Sequence, residues 1–218
     1  MTLFKFDNEA LGYKGMTVLN GISLDITAGE KIALVGESGA GKSTLLMALQ
    51  SRYSANSAFI PQTPGLVRTL SVFHNIYMGS LNRHSTFYNL LNLIRPKKGE
   101  IALISPIAEK LGLIDKLFTR SGELSGGQQQ RAAVCRALFQ GGDAVLGDEP
   151  VSAVDSLQSR VIIQALCDNF ETVVLALHDV ELALEYSTRI IGIKNTHIAL
   201  DAPTSSLKRR DLDFLYTA

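Results

Sequence analysis

The 218 residues include no tryptophan, two cysteines and six prolines, and aromatic side chains make up 7% of the chain. The cysteines, Cys135 and Cys167, sit 32 positions apart in apolar, helix-like stretches, without a C-x-x-C spacing or a histidine partner nearby. They read as small core residues in a reducing compartment, and a chain of this length needs no disulfide or metal staple. Charge of one sign is also missing: 21 Lys+Arg stand against 21 Asp+Glu. Phosphate-backbone binding ordinarily shows as a basic excess on one face, so no nucleic-acid partner is expected. The run Lys208-Arg209-Arg210 is followed by Asp211 and Asp213 and reads as a solvated helix face. No apolar run approaches the roughly 18 residues of a membrane-spanning helix. Met1-Thr2-Leu3-Phe4-Lys5 lacks the basic start and apolar block of an export signal. The expected location is cytoplasmic, with any membrane contact made through another subunit.

What is present describes one globular domain over residues 1–218, with 46% hydrophobic residues. Strand-like segments come first, at Leu3–Phe6, Val18–Ile26 and Lys31–Val35, with Ala28-Gly29 turning between the last two. Helices then alternate with short apolar runs: Ser43–Ser51 helix, Ala58–Pro61 strand, Gln128–Phe139 helix, Ala144–Leu146 strand. Ser156–Asn169 helix, Thr172–Leu177 strand and Val180–Thr188 helix continue the series. Such alternation predicts an α/β fold with a mostly parallel sheet covered by helices. Arg189–Lys194 and His197–Leu200 flank Asn195-Thr196 and predict a β-hairpin, because Asn accepts a positive φ. Ser205–Tyr216 reads as a short closing helix. Within 67–124 the spacing predicts helices over Phe87–Arg95 and Pro106–Leu111, the latter capped by Ser105.

Three segments carry chemistry. Gly36-Glu37-Ser38-Gly39-Ala40-Gly41-Lys42-Ser43-Thr44 fits G-x-x-x-x-G-K-[ST] between a strand and a helix. Its glycines let backbone N–H groups wrap a phosphate, Lys42 reaches the β- and γ-phosphates, and the Ser43 hydroxyl meets Mg²⁺. Ala144-Val145-Leu146-Gly147 runs into Asp148-Glu149, which puts two carboxylates at the end of a core strand, where ligands of open α/β sheets bind. Asp148 is expected at Mg²⁺ and Glu149 as the base that takes a proton from water. Leu124-Ser125-Gly126-Gly127-Gln128-Gln129-Gln130-Arg131 opens a helix with an S-x-x-Q capping box. The two glycines beside the cap leave bare N–H groups and a helix dipole, a second anion site.

GESGAGKST, then LSGGQQQR, then LGDEP with Ser152-Ala153-Val154-Asp155, then Leu177-His178-Asp179 resemble the ATP-binding subunits of ABC transporters. The motifs stand in that family's order and the likeness covers nearly the whole chain. The resemblance implies a P-loop NTPase core with an inserted helical subdomain at about 67–124 and a signature helix from about 125. It implies an ATPase using ATP and Mg²⁺, in which the nucleotide is held by Tyr13, Gly36, Ser38, Gly39, Ala40, Gly41, Lys42, Ser43 and Thr44. Ser125, Gly126, Gly127 and Gln128 serve the nucleotide of a second copy, in a head-to-tail homodimer. Tyr13 corresponds to the aromatic that stacks on adenine, Gln62 to the glutamine that senses Mg²⁺ and water, His178 to the histidine at the γ-phosphate, and Asp155 to a residue at the contact between copies. The implied partners are integral permease subunits on the cytoplasmic face of the inner membrane and, indirectly, a solute-binding protein. Leu66, Leu70, Val72, Phe73, Ile76, Tyr77 and Met78 fall where the family docks a helix of its membrane partner, or else belong to the core.

Within the family, the tail Leu177–Tyr216 and Ser85–Leu91 are most similar to phosphonate-importer subunits, implying import of phosphonate or a related oxyanion. A soluble ABC-type ATPase acting as a nucleotide-gated interaction module is the alternative. A small-molecule kinase on the same loop conflicts with LSGGQ and Glu149. The chain departs from the family in the interval between Lys42 and Gln62, 20 positions, where members have a markedly longer stretch. That stretch supplies strands of an antiparallel subdomain near the adenine, so a reduced N-terminal antiparallel unit is expected.

Overall fold

The computed structural model describes residues 1–13, 15–53 and 56–217. In β1 (Thr2–Tyr13) and β2 (Met16–Thr27) apolar side chains recur at every second position over Phe4–Phe6 and Ile22–Ile26, where Phe4, Phe6, Ile22, Leu24 and Ile26 are buried and Lys5, Ser23 and Asp25 between them are exposed. A period of two packs one face of an antiparallel pair on the core and leaves the other in water. The strands pair with Phe4 opposite Ile26 and Tyr13 opposite Met16, and form a separate two-stranded sheet. This is the reduced antiparallel unit that the short Lys42–Gln62 interval predicts.

The other strands are buried on both faces, as strands sandwiched between two layers must be, except the last, an edge strand whose residues alternate between exposed and half-buried. β3 (Lys31–Val35), β4 (Ser57–Ile60), β5 (Ala144–Asp148), β6 (Thr172–Ala176), β7 (Arg189–Lys194) and β8 (His197–Pro203) form one sheet in the order β4-β5-β6-β3-β7-β8. All neighbours are parallel except β7 and β8. Ile32, Leu34, Leu146, Val174 and Ile191 pack toward the β1–β2 hairpin and toward Leu45, Leu46 and Leu49 of α1 (Lys42–Arg52). Ala33, Val35, Val145, Val173 and Ile190 point the other way. There they meet α5 (Gly126–Gln140), α6 (Ser156–Asn169) and α7 (Val180–Tyr186) through Val134, Ile163 and Leu182. Asn195 and Thr196 turn β7 into β8 with φ of 49° and 67°, the hairpin the sequence predicts.

Between β4 and α5 lie α2 (Val72–Tyr77), α3 (Thr86–Ile94) and α4 (Lys98–Lys110). Pro106 does not start a helix; it lies inside α4, whose first residue is Lys98. The Ser105 hydroxyl, expected as a cap, instead donates to the Ile101 carbonyl at 2.7 Å. Burial of Ile104 and Ala108 in the core outweighs the hydrogen bond that a mid-helix proline removes. The tail is a 3-10 turn over Arg209–Tyr216, anchored by buried Leu212 and Leu215, rather than an α-helix. The stretch expected to dock a membrane partner divides: Val72, Phe73 and Ile76 are buried core and Leu66 packs against it, whereas Leu70, Met78 and buried Tyr77 line an open apolar groove with Leu81, Leu90 and Leu93. Among the described residues, no helix is long and apolar enough to cross a membrane.

Register positions the site. Ile60 pairs with Gly147, Asp148 with Ala176, and Leu34 with Ala176, so four parallel strands end level at one edge of the sheet. Gly36, Gln62, Asp148 and His178 therefore all leave the sheet at the same end.

Candidate active site

The loop between β3 and α1 can close around a phosphate because its glycines hold conformations that side chains avoid. Gly36, Gly39 and Gly41 have φ of 140°, 81° and 112°. A Cβ on Gly36 would stand 2.3 Å from the Ile193 carbonyl oxygen, and one on Gly41 would stand 2.5 Å from Leu19. No side chain caps the start of α1, whose N-cap is Gly41. Its free N–H groups and positive dipole end face a cleft of about 180 Å³ lined by Val18, Ser38, Gly39, Gly41, Lys42, Ser43, Thr44, Gln62 and Glu149. Lys42 folds back across the loop and donates to the carbonyls of Gly36 at 2.8 Å and Glu37 at 2.9 Å. Burial lowers its pKa, opposed by the nearby Glu149 and Asp148 carboxylates, which favour the charged form.

At the end of β5 the two acids do take separate surroundings. Asp148 is buried, and its Oδ1 has no hydrogen-bond partner. Glu149 has φ 52°, in the left-handed region where a non-glycine residue is strained, so its side chain turns away from the strand direction. Its Oε1 lies 2.5 Å from His178 Nε2. The Glu149 N–H donates to the Ala176 carbonyl at 3.2 Å, and Gln130 Nε2 of α5 donates to the Glu149 carbonyl at 3.3 Å. Gln130 had no role in the sequence reading. Val18 also escaped notice, since an apolar residue beside Leu19 carries no motif.

The residues present fit a divalent cation. An orphaned buried carboxylate oxygen on Asp148 is the kind of atom that a bound ion or water satisfies. The Ser43 hydroxyl and Gln62 amide, which line the cleft, add oxygen donors of the type Mg²⁺ takes. Among the described residues, no cluster of three or more His, Cys, Asp or Glu is arranged to hold a metal by itself. Mg²⁺ sites built on one or two protein oxygens plus substrate phosphates do not need one.

The second glycine-flanked helix start stands apart. The Ser125 hydroxyl accepts the Gln128 N–H at 3.4 Å, and the Gln128 side chain accepts the Ser125 N–H at 3.0 Å, so the capping box is real. A Cβ on Gly126 would meet nothing within 4 Å, whereas one on Gly127 would stand 2.6 Å from the Ala153 carbonyl oxygen. None of Ser125, Gly126, Gly127 and Gln128 lines the phosphate cleft. Asp155 caps α6, accepting the Gln158 N–H at 2.9 Å. Tyr13 is 60% exposed at the tip of the β1–β2 hairpin. It lines neither the phosphate cleft nor the adjoining cleft of about 450 Å³, which shares Val18, Ser38 and Gly39 with it and extends to Ala40 and Thr196.

Residues 19–152 match the family model described as ABC transporter. The chain belongs to that family. It is an ATP-binding, ATP-hydrolysing subunit of the ABC type. The phosphonates import ATP-binding protein PhnC 1 of Halalkalibacterium halodurans is 37% identical to this ABC subunit, covering 87% of it and 84% of the relative. That of Pseudomonas savastanoi pv. phaseolicola is 35% identical, covering 99% and 92%. This second alignment runs to 245 positions, more than the 218 residues here, so the relative carries segments that this subunit lacks. Among solved structures, a nucleotide-free ATP-binding cassette from an ABC transporter superposes with a TM-score of 0.78 at 20% identity, covering 100% of both chains. A dimeric ATP-binding cassette in a post-hydrolysis state, bound to ADP and Pi, superposes at 0.75 with 24% identity, covering 94% of this subunit and 99% of that chain. At these identities the superpositions speak for the fold.

Proposed function

We propose that two copies of this subunit enclose two ATP molecules and use their hydrolysis to drive import of phosphonate or a related oxyanion through a membrane permease. The relatives named as phosphonate importers favour the solute class. The paired arrangement rests on one observation: the start of α1 opens into a cleft, while the start of α5 is exposed and lines none of it. An ATP seated on the first therefore needs a second copy to meet the Ser125–Gln128 segment.

In the occupied site, Lys42 exchanges the Gly36 and Glu37 carbonyls for the β- and γ-phosphates, with the loop N–H groups of Ser38 to Thr44 around them. Ser43 and Asp148, with Gln62 beside them, would hold Mg²⁺, which neutralises phosphate charge when bound. Glu149 takes a proton from the attacking water as its oxygen bonds to the γ-phosphorus. The bond from that phosphorus to the β-phosphate bridging oxygen breaks, and ADP and phosphate result. His178, whose Nε2 lies against the Glu149 carboxylate, holds that carboxylate toward the γ-phosphate side. Tyr13 stacks on the adenine at the hairpin tip. Loss of the γ-phosphate removes the bond between the two copies, and the pair opens. Asp155 would lie at the contact between them. The groove of Leu70, Met78, Leu81, Leu90 and Leu93 would seat the permease, with the subunit then on the cytoplasmic face of the membrane. A solute-binding protein would act only through that permease.

Glu149→Gln tests this reading. The variant binds MgATP, hydrolyses it about 10²–10⁴-fold more slowly, and elutes as a dimer on gel filtration with MgATP. A variant that stays monomeric at saturating MgATP, both alone and with its permease, sinks the paired site.

A further inference from the structure

Helix α3 turns its apolar side away from the molecule. Phe87, Leu90, Leu91 and Ile94 recur at i, i+3, i+4 and i+7 and so make one stripe. All four are exposed, Phe87 at 72% and Ile94 at 75%. The opposite side carries Tyr88, Asn89 and Asn92, and Asn92 is the one buried residue of the helix. Its Oδ1 accepts the Lys97 N–H at 2.8 Å. The Tyr88 hydroxyl donates to Glu100 Oε1 of α4 at 3.0 Å. Asn89 accepts from the Tyr77 hydroxyl at 2.7 Å and donates to the Leu81 carbonyl at 2.9 Å. Polar bonds therefore hold α3 in place, and packing within the chain gives no reason for the stripe. A contiguous exposed apolar surface of this kind marks a contact with something else.

The charges next to the stripe have one sign. Arg83 precedes the helix, Arg95, Lys97 and Lys98 follow it, and no Asp or Glu stands between Glu37 and Glu100. Glu100 is itself buried, against Tyr88 and His84 Nε2, whereas Arg95 and Lys98 are exposed. An apolar ridge flanked by cations suits the surface of a membrane. Its side chains enter the boundary between headgroups and acyl chains, and the cations meet anionic headgroups. A partner helix would instead need a groove. Leu90 and Leu93 line one with Leu70, Met78 and Leu81, but Phe87, Leu91 and Ile94 lie outside it.

We propose that α3 is an interfacial anchor: Phe87, Leu91 and Ile94 enter the surface of a bilayer rich in anionic lipid, and Arg95, Lys97 and Lys98 pair with its headgroups. This chain then touches the membrane itself, in addition to any contact made through a permease. The inference needs neither nucleotide nor a second copy, so it does not rest on the paired-site reading.

The test mixes the full chain, without nucleotide or permease, with vesicles of equal parts phosphatidylcholine and phosphatidylglycerol or of phosphatidylcholine alone, and measures the fraction that floats with the lipid. The parent should bind the anionic vesicles at least about tenfold more tightly, since each cation near an anionic leaflet adds attraction. Phe87→Ser combined with Ile94→Ser should weaken that binding at least about tenfold, through lost apolar burial. Arg95→Gln combined with Lys98→Gln should bring it close to the neutral-vesicle level. Raising NaCl from about 0.1 M to about 1 M should do the same to the parent, because the Debye length shortens from about 10 Å to about 3 Å. Both double variants replace exposed side chains outside the phosphate cleft, so their thermal denaturation should match that of the parent. The chain has no tryptophan, so Phe87→Trp adds a single indole whose emission should shift to the blue with anionic vesicles. A parent that fails to float with anionic lipid, or serine substitutions that leave its binding unchanged, overturns the inference. Two other occupants would overturn it as well. A nucleotide-free dimer on gel filtration that the serine pair makes monomeric would assign the stripe to a second copy. Capture by detergent-solubilised permease that the serine pair abolishes, with no binding to vesicles, would assign it to that protein.

Discussion

The starts of α1 and α5 are both helix N-termini set beside glycines, yet they are finished differently. At α1 no side chain caps the helix, Lys42 is parked on carbonyls of its own loop, and the free donors converge on a walled cleft. At α5 the terminus is satisfied by its own Ser125–Gln128 box, and Gly126 faces open space. The first is organised to hold an anion by itself, because its unsatisfied donors point inward at one place. The second has a stable helix end and no wall, so a ligand there must arrive on another surface.

Removing the lysine should have the largest effect. Lys42→Ala should lower kcat/KM for MgATP by about 10²–10³-fold, the scale for losing a group aimed at transition-state charge. Phosphate release measures it, and a drop of less than about threefold would mean that Lys42 remains on Gly36 and Glu37 when nucleotide binds. A mixing experiment tests whether the two helix starts serve one nucleotide from different copies. Ser125→Arg blocks the second helix start and should also abolish turnover. Mixed with Lys42→Ala, it can form a dimer in which one site is doubly damaged and the other draws an intact loop and an intact signature from different copies. Partial recovery of hydrolysis on mixing is expected, and its absence, with mixed dimers demonstrated by tag pull-down, would show that one chain serves both ends of its own nucleotide.

Much of this contrast could be read from the residues, for a physical reason. Phosphate loops and caps are local: glycine spacing, Lys42-Ser43 and the Ser125–Gln128 box all lie within a few residues, and the helix Ser156–Asn169 has the bounds its apolar pattern predicts. Strand runs such as Lys31–Val35 were legible because burial on both faces leaves no polar alternation. Contacts across the register were not. Glu149 meets His178 only because β5 and β6 end level, and Gln130 reaches the Glu149 carbonyl only once α5 lies on that sheet. The insertion was least legible, since Pro106 inside α4 and buried polar Asn75 contradict local rules and are settled by packing and hydrogen bonds over distance.

The smallest expected effect separates what Ser125 does for its own chain from what it does for a second copy. Ser125→Ala removes the cap of α5 and should destabilise the chain by about 1 kcal/mol, a fall in Tm of about 2–4 °C for a domain of this size. Ser125→Asp keeps a good N-cap, so its Tm should stay at the parent value in the absence of nucleotide. Its carboxylate, however, would face the triphosphate brought by the other copy, and like charges held close in a water-poor interface repel. The two variants should therefore divide: alanine loses stability and keeps part of its hydrolysis, while aspartate keeps stability and loses hydrolysis and MgATP-dependent pairing. Thermal denaturation and phosphate release on the same samples decide it. If aspartate hydrolyses ATP as the parent does, no triphosphate reaches the start of α5, and its exposed glycines belong to the helix alone.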